Sequence, residues 1–473
     1  MGPIHGHQVA RRPPGAAALR HGEAEPLGQS VARPEGGYGY LFGATKCPLD
    51  EDVVDKLADL MRARRDTSTG TPYIPAGYTY LGQFIDHDIT FDASSHRSRA
   101  TLPKLPENFR TPRLDLDSLY GSGPVVHPFL YDWEHPETGG ARLLVGYNQD
   151  GRHPDLPRNA PGRALIGDAR NDENAIIAQV HLLFIRFHNA VLARLAGRHR
   201  HWEELFDEAR RSVRWHYQWM VVHDFLPTIL GPQLATKLLR DEPRPLAAGK
   251  RLEFVPLEFS VGAFRFGHSL VRSQYVLKRD AKNPPPPLRL FPDLEGLRPL
   301  SSELVLDWTR FFRFERLGYE FQPQNGMQID SGLSGPLFAL PGGGGSLAQR
   351  NLRRAVRLEV PSGQEVAKNL GLEPLPAEAL LLKELPAAAR DRLLEATPLW
   401  YYILCEAERE GGDHLGPLGG RIVAEVILRL LGSDPGSYVH DENWRPTLVE
   451  GKDDFTMTDL IEVAHGWEGR QPA

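Results

Sequence analysis

The strongest helical pattern in the chain runs from Asn171 to Arg194 (NDENAIIAQVHLLFIRFHNAVLAR) and constrains the fold class more than any other stretch. Signals for β-strands are weak throughout. Further helices are predicted at Asp50–Arg65, Tyr78–Thr90, Trp202–Phe225, Glu303–Arg316, from Ser346 onward, and at Glu378–Leu394, Leu399–Arg409 and Arg421–Leu431. The sequence therefore predicts a mainly α-helical protein with little β structure.

The residues that carry recognisable chemistry are scattered from position 83 to position 354, so one site must draw on most of the chain. We therefore expect a single large helical domain over residues 38–473. Residues 1–37 are rich in glycine, proline, arginine and histidine, and they lack the apolar stretch of a Sec signal peptide. This composition predicts a disordered tail and favours the cytoplasm as the default compartment, with export by another route left open.

Composition excludes several classes of protein. No window holds eighteen apolar residues without charge, so no membrane span is expected. The net charge is −6 and there is no basic stripe, which argues against nucleic-acid binding. Two cysteines do not make a disulfide framework. Nothing in the sequence indicates an oligomeric state.

A heptapeptide in the predicted helix Tyr78–Thr90 combines polar and large apolar residues. Gln83, Asp86 and His87 are spaced i, i+3 and i+4, so an amide, a carboxylate and an imidazole share one face. Asp88 points about 100° away from His87 and must serve another neighbour. Buried polar groups need partners, which favours a functional site. The alternative is a helix end with solvated acids and a surface histidine.

Three further motifs carry candidate ligands or charges. Arg170 and Glu173 lie on one face near the start of the strongest helix, where they form either an inward-pointing pair or a surface salt bridge. His268 follows a glycine that lets a flat group approach the backbone, although a histidine among phenylalanines is more often a satisfied core residue. Asn351 and Arg354 lie one turn apart on a helix that otherwise has a solvated basic face.

An acidic loop forms another candidate site. Thr111, Asp115 and Asp117 occupy positions of one parity, so an extended segment directs their oxygen atoms the same way, as a hard cation requires. With Asp88, three carboxylates would converge. The alternative is a polar surface loop.

Together these pieces resemble the animal-type haem peroxidase family, also called the peroxidase–cyclooxygenase superfamily, from about Tyr78 to about Tyr438. The stretch Gly82–Asp88 (GQFIDHD) resembles the distal-histidine motif of that family, and Gly167–Asn174 (GDARNDEN) resembles its catalytic-arginine segment. The stretch Phe264–Leu270 (FRFGHSL) resembles its proximal-histidine motif, and residues 351–354 (NLRR) resemble the segment that supports that histidine. The resemblance implies the fold of a short, bacterial-type member.

The resemblance also implies roles for the matched residues. His268 would bind the iron of haem b, and Asn351 would accept the hydrogen bond from its other ring nitrogen. His87 would act as general acid and base, worth roughly 10²–10⁴ in rate, and Arg170 would stabilise the charge that develops as the O–O bond breaks. Gln83 would hold water and border the halide position.

Other matched residues would hold the haem in place. Arg265 and Arg354 would pair with its propionates. Asp86 and Glu173 match the positions that carry ester bonds to haem in mammalian members, so a covalent link is expected. Asn174 stands where one mammalian member has a methionine, which excludes a sulfonium link and weakens the case for chloride as a substrate.

The acidic loop matches the family's calcium site. Asp88, Thr111, the carbonyl of Arg113, Asp115 and Asp117 would be the ligands. The family more often has serine at the position of Asp117, and the extra carboxylate should favour calcium. The ion would fix the loop beside His87.

The implied activity is reduction of hydrogen peroxide through a ferryl intermediate, with oxidation of bromide, iodide, thiocyanate or small organic donors. One alternative is a fatty-acid dioxygenase of the same superfamily. Those enzymes carry a radical tyrosine three residues before the proximal histidine, where this chain has Arg265. A second alternative is a haem-binding protein without turnover, against which the intact set of Gln83, His87, Arg170 and His268 argues.

Overall fold

The computed structural model describes residues 37–64, 70–92, 105–199, 201–239, 251–280, 283, 285–315 and 322–466. The helices in these ranges are α1 (Glu51–Arg64), α2 (Gly77–Ile89), α3 (Asp117–Tyr120), α4 (Ala175–Leu195), α5 (Trp202–Met220), α6 (Leu226–Leu239), α7 (Leu347–Arg357), α8 (Gly363–Asn369), α9 (Ala387–Glu395), α10 (Leu399–Arg409), α11 (Pro417–Ser433) and α12 (Met457–His465). The prediction of a mainly α-helical fold is confirmed. The disordered tail predicted for residues 1–37 lies almost entirely outside the described residues.

The strands are short and pair only two at a time within the described ranges. They are β1 (Gly37–Gly39), β2 (Gly70–Pro75), β3 (Tyr131–Asp132), β4 (Arg142–Leu143), β5 (Gly146–Tyr147), β6 (Pro154–Asp155), β7 (Phe254–Pro256), β8 (Gln274–Tyr275), β9 (Leu288–Arg289) and β10 (Asn325–Met327). β1 pairs parallel with β7, whereas the pairs β2–β10, β3–β4, β5–β6 and β8–β9 are antiparallel. These short pairs hold loop segments against the helical core.

Helix α4 lies at the centre of the core. The side chain of Asn174 caps it by accepting hydrogen bonds from the backbone N–H groups of Ile176 and Ile177. Most of its residues are buried, and it packs against α2, α5 and α12, as expected for an element enclosed on nearly all sides. By length and composition it could cross a membrane, but 89% of its most apolar window is buried inside the protein.

Helix α2 is held against α4 by aromatic packing. The rings of Phe84 and Phe184 stack with their centroids 4.3 Å apart, and both side chains are fully buried. Burial of a side chain of this size stabilises the fold by about 1.5–3 kcal/mol. The contact fixes the face of α2 that carries His87 relative to the start of α4.

Of the predicted helices, one is wrong and a second is wrong in part. In place of a helix at Glu303–Arg316, residues 301–315 contain only short 3₁₀ turns. Gln179 of α4 donates to the carbonyl of Leu304 and accepts from the N–H of Leu306, which keeps this backbone extended. The helix predicted at Glu378–Leu394 is interrupted before Pro386, which has no N–H to donate and instead begins α9.

The other predicted helices are confirmed with shifted ends, and Leu399–Arg409 has the predicted bounds. The pattern at Trp202–Phe225 covers α5 and a π-helical turn at Val221–Phe225, after which α6 continues. No helix is predicted from the sequence at the positions of α3, α6, α8 and α12. All twelve helices have buried residues in one hydrophobic core or pack against it.

Candidate active site

His87 lies near the end of α2 and its side chain is buried. Its Nδ1 is 2.8 Å from Oδ1 of Asn171, and Nδ2 of Asn171 is 3.0 Å from Nδ1 of His181. An amide oxygen can only accept a hydrogen bond, so Nδ1 of His87 carries the proton and Nε2 keeps its lone pair. Burial, together with the nearby Arg170 cation, lowers the pKa of His87 to about 4. The ring is therefore a neutral base at ordinary pH.

Arg170 connects the end of α2 to the 3₁₀ turn Ala169–Asp172. Its Nη2 donates to the backbone carbonyls of His87, at 3.0 Å, and Thr90, which lie at the C-terminus of α2 where carbonyls lack partners within the helix. The guanidinium also pairs with Asp168, with 2.8 Å between Nη2 and Oδ2. Arg170 thus lies beside His87 and contacts its main chain.

Arg110 and Asp168 complete this corner of the site, and sequence reasoning missed both. Arg110 donates to Oδ2 of Asp168 at 2.7 Å and to the carbonyl of Gly167 at 2.8 Å. Although burial opposes it, hydrogen bonding and charge from Arg170, with help from Arg110, hold the pKa of the Asp168 carboxyl well below its usual range. One buried carboxylate between two guanidinium groups explains why Arg170 stays ordered beside α2.

Asp86 and Glu173 come from different segments and lie within electrostatic reach of each other. The charge of Asp86 acts on Glu173, on Arg170 and on Arg265 of the proximal-motif segment. Glu173 is accessible, yet the surrounding protein desolvates its carboxylate and raises its pKa. A carboxylate that is accessible to solvent and yet desolvated by the protein around it faces a recess within the protein. Gln83 and Asp86 are half-buried on the same face of α2.

His268 ends the 3₁₀ segment Ala263–His268, which packs against α2. Its Nδ1 lies 3.0 Å from Nδ2 of Asn351 on α7. The ring of Trp400 stands perpendicular to that of His268, with 6.0 Å between centroids, and its Nε1 donates to the carbonyl of Arg265. Burial and the Arg265 cation lower the pKa of His268 to about 3, so this ring is also neutral.

The segment around His268 borders open space. A Cβ added at Gly267 would meet no atom within 4 Å, and Arg265, Gly267 and His268 are all partly accessible. Arg265 donates from Nε to the carbonyl of Ser260, at 2.9 Å, and its Nη1 lies 3.5 Å from Oδ1 of Asn351. Arg354 pairs with Asp92. Within the described ranges, the Nε of Arg354 is buried without a hydrogen-bond partner.

The three predicted carboxylates of the acidic loop converge. Asp88, Asp115 and Asp117 each offer an oxygen atom within 4.8 Å of the others. Oγ1 of Thr111 donates to Oδ1 of Asp115 at 2.7 Å, and the carbonyl of Arg113 accepts from Gln218. Burial and the neighbouring carboxylates raise the pKa of Asp88. Burial is also the main cause that raises the pKa of Asp117 to about 7.

The loop that delivers these carboxylates is strained. Leu114 and Leu116 are fully buried and adopt φ values of 53° and 61°, which L-residues with a Cβ rarely tolerate. Each such residue costs on the order of 1–3 kcal/mol, so other contacts must hold the loop. Ser118 and the N–H of Leu116 donate to Asp88, which ties the loop to α2. Asp115 and Asp117 also border a cavity of about 660 Å³.

Comparison with known proteins identifies the domain. The family model "Animal haem peroxidase" matches residues 96–295. This part of the chain is similar to that family. The resemblance stated from the sequence motifs is therefore confirmed.

Curated relatives match part of the chain. Human thyroid peroxidase is 30% identical over 227 residues, which covers 44% of this chain and 23% of the relative. Peroxinectin A of Dictyostelium discoideum is 27% identical over 290 residues, covering 55% of this chain and 49% of the relative. The chain thus spans about a quarter to a half of the length of these relatives.

Solved structures show the same fold over nearly the whole chain. Peroxidase A from Dictyostelium discoideum superposes with a TM-score of 0.63 at 19% identity, covering 92% of this chain and 93% of that protein. A fatty acid alpha-dioxygenase from Oryza sativa superposes with a TM-score of 0.61 at 16% identity, covering 93% and 80%. At these identities the likeness concerns the fold alone.

The structure assembles two groups of predicted residues. One group surrounds Asp86 and includes His87, Arg170, Glu173 and Arg265. The other consists of the carboxylates around Asp88, on the opposite side of the α2 backbone. The residues that sequence reasoning missed are the partners Asn171, Arg110, Asp168, Trp400 and Gln218. Asn171 was visible as the residue after Arg170, but helical spacing alone does not show that it reaches His87.

Proposed function

We propose that this protein is a haem-dependent peroxidase that reduces hydrogen peroxide and oxidises small anionic or organic donors. The observation that carries the proposal is a pair of neutral histidines from distant segments. In His87 and His268 alike, Nδ1 faces an asparagine and the other ring nitrogen has no partner among the described residues. Nε2 of His87 keeps its lone pair and suits a base, whereas Nε2 of His268 would suit a metal ligand once the proton of that ring lies on Nδ1.

The residues present fit a haem. His268 and Gly267 border open space where a flat group can approach, and Arg265 and Arg354 supply guanidinium groups for its propionates. The unpartnered Nε of Arg354 is a donor that such a carboxylate would satisfy. When bound, the haem would supply the iron at which the O–O bond of peroxide is cleaved and to which donors deliver electrons.

The chain's own residues would handle the protons. Nε2 of His87 is free to take a proton from hydrogen peroxide and return it to the departing oxygen. With two further protons and two electrons from a donor, the second oxygen also leaves as water. Arg170 is proposed to stabilise the negative charge that develops, and its hydrogen bond to the carbonyl of His87 keeps that cation close. Gln83, one turn before His87, would position water.

Covalent attachment of the haem is part of the proposal. Asp86 and Glu173 are accessible carboxylates within electrostatic reach of each other, as two ester links to one ring require. Asn174 cannot form a sulfonium link, and its side chain is already committed to capping α4. We therefore favour bromide, iodide, thiocyanate or organic donors over chloride.

The acidic cluster is proposed to bind calcium. Three carboxylates, the hydroxyl of Thr111 and the carbonyl of Arg113 offer hard oxygen ligands of the kind calcium prefers. A buried oxygen of Asp117 has no hydrogen-bond partner among the described residues, which is consistent with an ion ligand. Because Asp88 follows His87 directly, the ion would hold the distal histidine in place.

An absorption spectrum of the purified protein tests the proposal. We expect a haem Soret band that shifts when hydrogen peroxide is added and returns when a donor is added. Acid–acetone extraction should leave haem on the protein if Asp86 and Glu173 form esters, and the variant Glu173→Gln should release more of it. Purified protein without haem, or haem indifferent to peroxide, would contradict the proposal.

A fatty-acid oxygenase is the second candidate, because an alpha-dioxygenase shares the fold over 93% of this chain. Against it, Arg265 occupies the position three residues before His268, where those enzymes need a tyrosine. The guanidinium there is held by the carbonyl of Ser260. Oxygen uptake with a polyunsaturated fatty acid and no added peroxide would favour the oxygenase. Haem that reacts with neither peroxide nor fatty acid would indicate a binding protein.

A further inference from the structure

Three buried side chains form a continuous hydrogen-bonded row behind His87. His87, Asn171 and His181 are 6%, 0% and 1% exposed. The amide of Asn171 serves both rings, with 2.8 Å from its Oδ1 to Nδ1 of His87 and 3.0 Å from its Nδ2 to Nδ1 of His181. The row joins α2, the turn Ala169–Asp172 and α4.

The orientation of this amide determines where the protons of both rings lie. Because Oδ1 only accepts, His87 carries its proton on Nδ1; because Nδ2 only donates, His181 accepts on Nδ1 and carries its proton on Nε2. The opposite orientation would put the proton of His87 on Nε2, and the ring could not then take a proton from peroxide.

The backbone of Asn171 is fixed relative to α2. Its N–H donates to the carbonyl of Asp168 at 3.1 Å, and the preceding Arg170 is bonded to the carbonyls at the end of α2. Asn171 therefore approaches His87 from a rigid support, and His181 on the core helix α4 holds the other end of the amide.

We propose that Asn171 is a positioning residue for the reaction at His87, and that with His181 it fixes the ring orientation and keeps Nε2 unprotonated. The inference rests on the proposed peroxidase function. It assigns to the residue after Arg170 a role that involves no contact with haem or peroxide. For the hydrogen-bond partners of metal-bound histidines such a loss costs about 10–100-fold in activity, and we expect the same range for the partner of His87.

Three variants distinguish a positioning role of Asn171 from a role in stabilising the fold alone. Asn171→Leu is close in size and removes both hydrogen bonds. Asn171→Asp keeps an acceptor for Nδ1 of His87, and His181 can donate to it by changing tautomer. Asn189→Leu is the matched control: Asn189 is also a buried asparagine with two hydrogen bonds at 2.9 Å, but both go to the backbone of Leu143.

The first measurement is the ring ¹⁵N spectrum of histidine-labelled full-length protein as purified, with the His87 signals assigned by their loss in His87→Gln. The second is the rate of cyanide association with the haem protein, since hydrogen cyanide must lose its proton to a base before it binds. We expect the Nδ1–H form of His87 in the wild type, in Asn171→Asp and in Asn189→Leu. Asn171→Leu should show mixed tautomers and cyanide association slower by roughly 10–100-fold.

Two results would overturn the inference: a wild-type tautomer and cyanide rate in Asn171→Leu, or an Asn171→Asp protein as slow as Asn171→Leu. Failure of the peroxidase proposal looks different. In that case the wild-type protein itself retains no haem or does not react with peroxide, and the positioning role of Asn171 is refuted as well. The tautomer measurement would still report the hydrogen-bonded row.

Discussion

The two histidine–asparagine pairs use the same residue types and differ in the direction of the amide. Asn171 presents Oδ1 to Nδ1 of His87 at 2.8 Å, whereas Asn351 presents Nδ2 to Nδ1 of His268 at 3.0 Å. The two amides also differ in the neighbour at their far end. His181 accepts from Asn171, and Arg265, which can only donate, faces Oδ1 of Asn351.

The two orientations are not held equally firmly. The contact between Arg265 and Asn351 is 3.5 Å long, which is weak for a hydrogen bond, whereas Asn171 has a contact of 3.0 Å or less at each end. The role predicted for Asn351, accepting from Nδ1–H of His268, needs its amide turned over. Rotation of the Asn351 amide costs little free energy once Arg265 pairs with a haem propionate instead of with Asn351. The distal amide is thus set by the fold, and the proximal one can respond to a ligand.

The largest expected effect is loss of haem on substitution of His268, which should not follow substitution of His87. His268→Ala should lose haem almost completely, because loss of a metal ligand exceeds the roughly 10–100-fold typical for loss of its hydrogen-bond partner. The ratio of Soret to protein absorbance after purification measures this. His188→Gln is the control, since His188 is a buried histidine of α4 that hydrogen-bonds to Tyr120 and to the carbonyl of Ala141. Equal haem loss in both variants would mean that His268 is not a specific ligand.

His87→Ala should show the opposite pattern, in which haem is retained but its reaction with peroxide is slow. Haem content should match the wild type, while the rate of the spectral change with hydrogen peroxide falls by roughly 10²–10⁴-fold, the usual worth of a positioned acid–base group. Stopped-flow absorbance measures the rate. An undiminished rate in this variant would remove His87 from the mechanism and leave the distal pair without a function.

Calcium removal should disturb the distal pair more than the proximal one, because Asp88 adjoins His87 and the loop of Asp115 and Asp117 is strained. An ion at 100 times its Kd stabilises the folded state by about 2.7 kcal/mol. Chelation should therefore lower the melting temperature of the wild type and slow its reaction with peroxide. The double variant Asp115→Asn, Asp117→Asn should melt at a temperature that calcium no longer changes. A wild-type protein indifferent to both chelator and calcium would argue for an acidic loop without an ion.

What the sequence could predict about this molecule depends on distance along the chain. Helical spacing placed Gln83, Asp86 and His87 on one face of α2, because that relation is local. It could not show that Asn171 reaches His87 or that Arg110 and Arg170 share Asp168, since these contacts join segments 58–84 residues apart. The helix predicted at Glu303–Arg316 is wrong for the same reason, as Gln179, more than 120 residues earlier, holds that backbone extended. Pairing of His268 with Asn351 followed only from the family resemblance.

The smallest predicted effect tests whether the proximal amide turns. Asn351→Leu should weaken haem retention about tenfold, the lower end of the usual range for a ligand's hydrogen-bond partner, whereas Asn171→Leu should leave it unchanged. Asn351→Asp should restore retention, because a carboxylate accepts from Nδ1–H in any orientation, and it should lower the reduction potential of the iron by making His268 a stronger donor. Haem titration and spectroelectrochemistry measure the two quantities. If Asn351→Asp retained haem no better than Asn351→Leu, Asn351 would act on His268 as a donor, and the orientation seen in this structure would persist when the metal is bound.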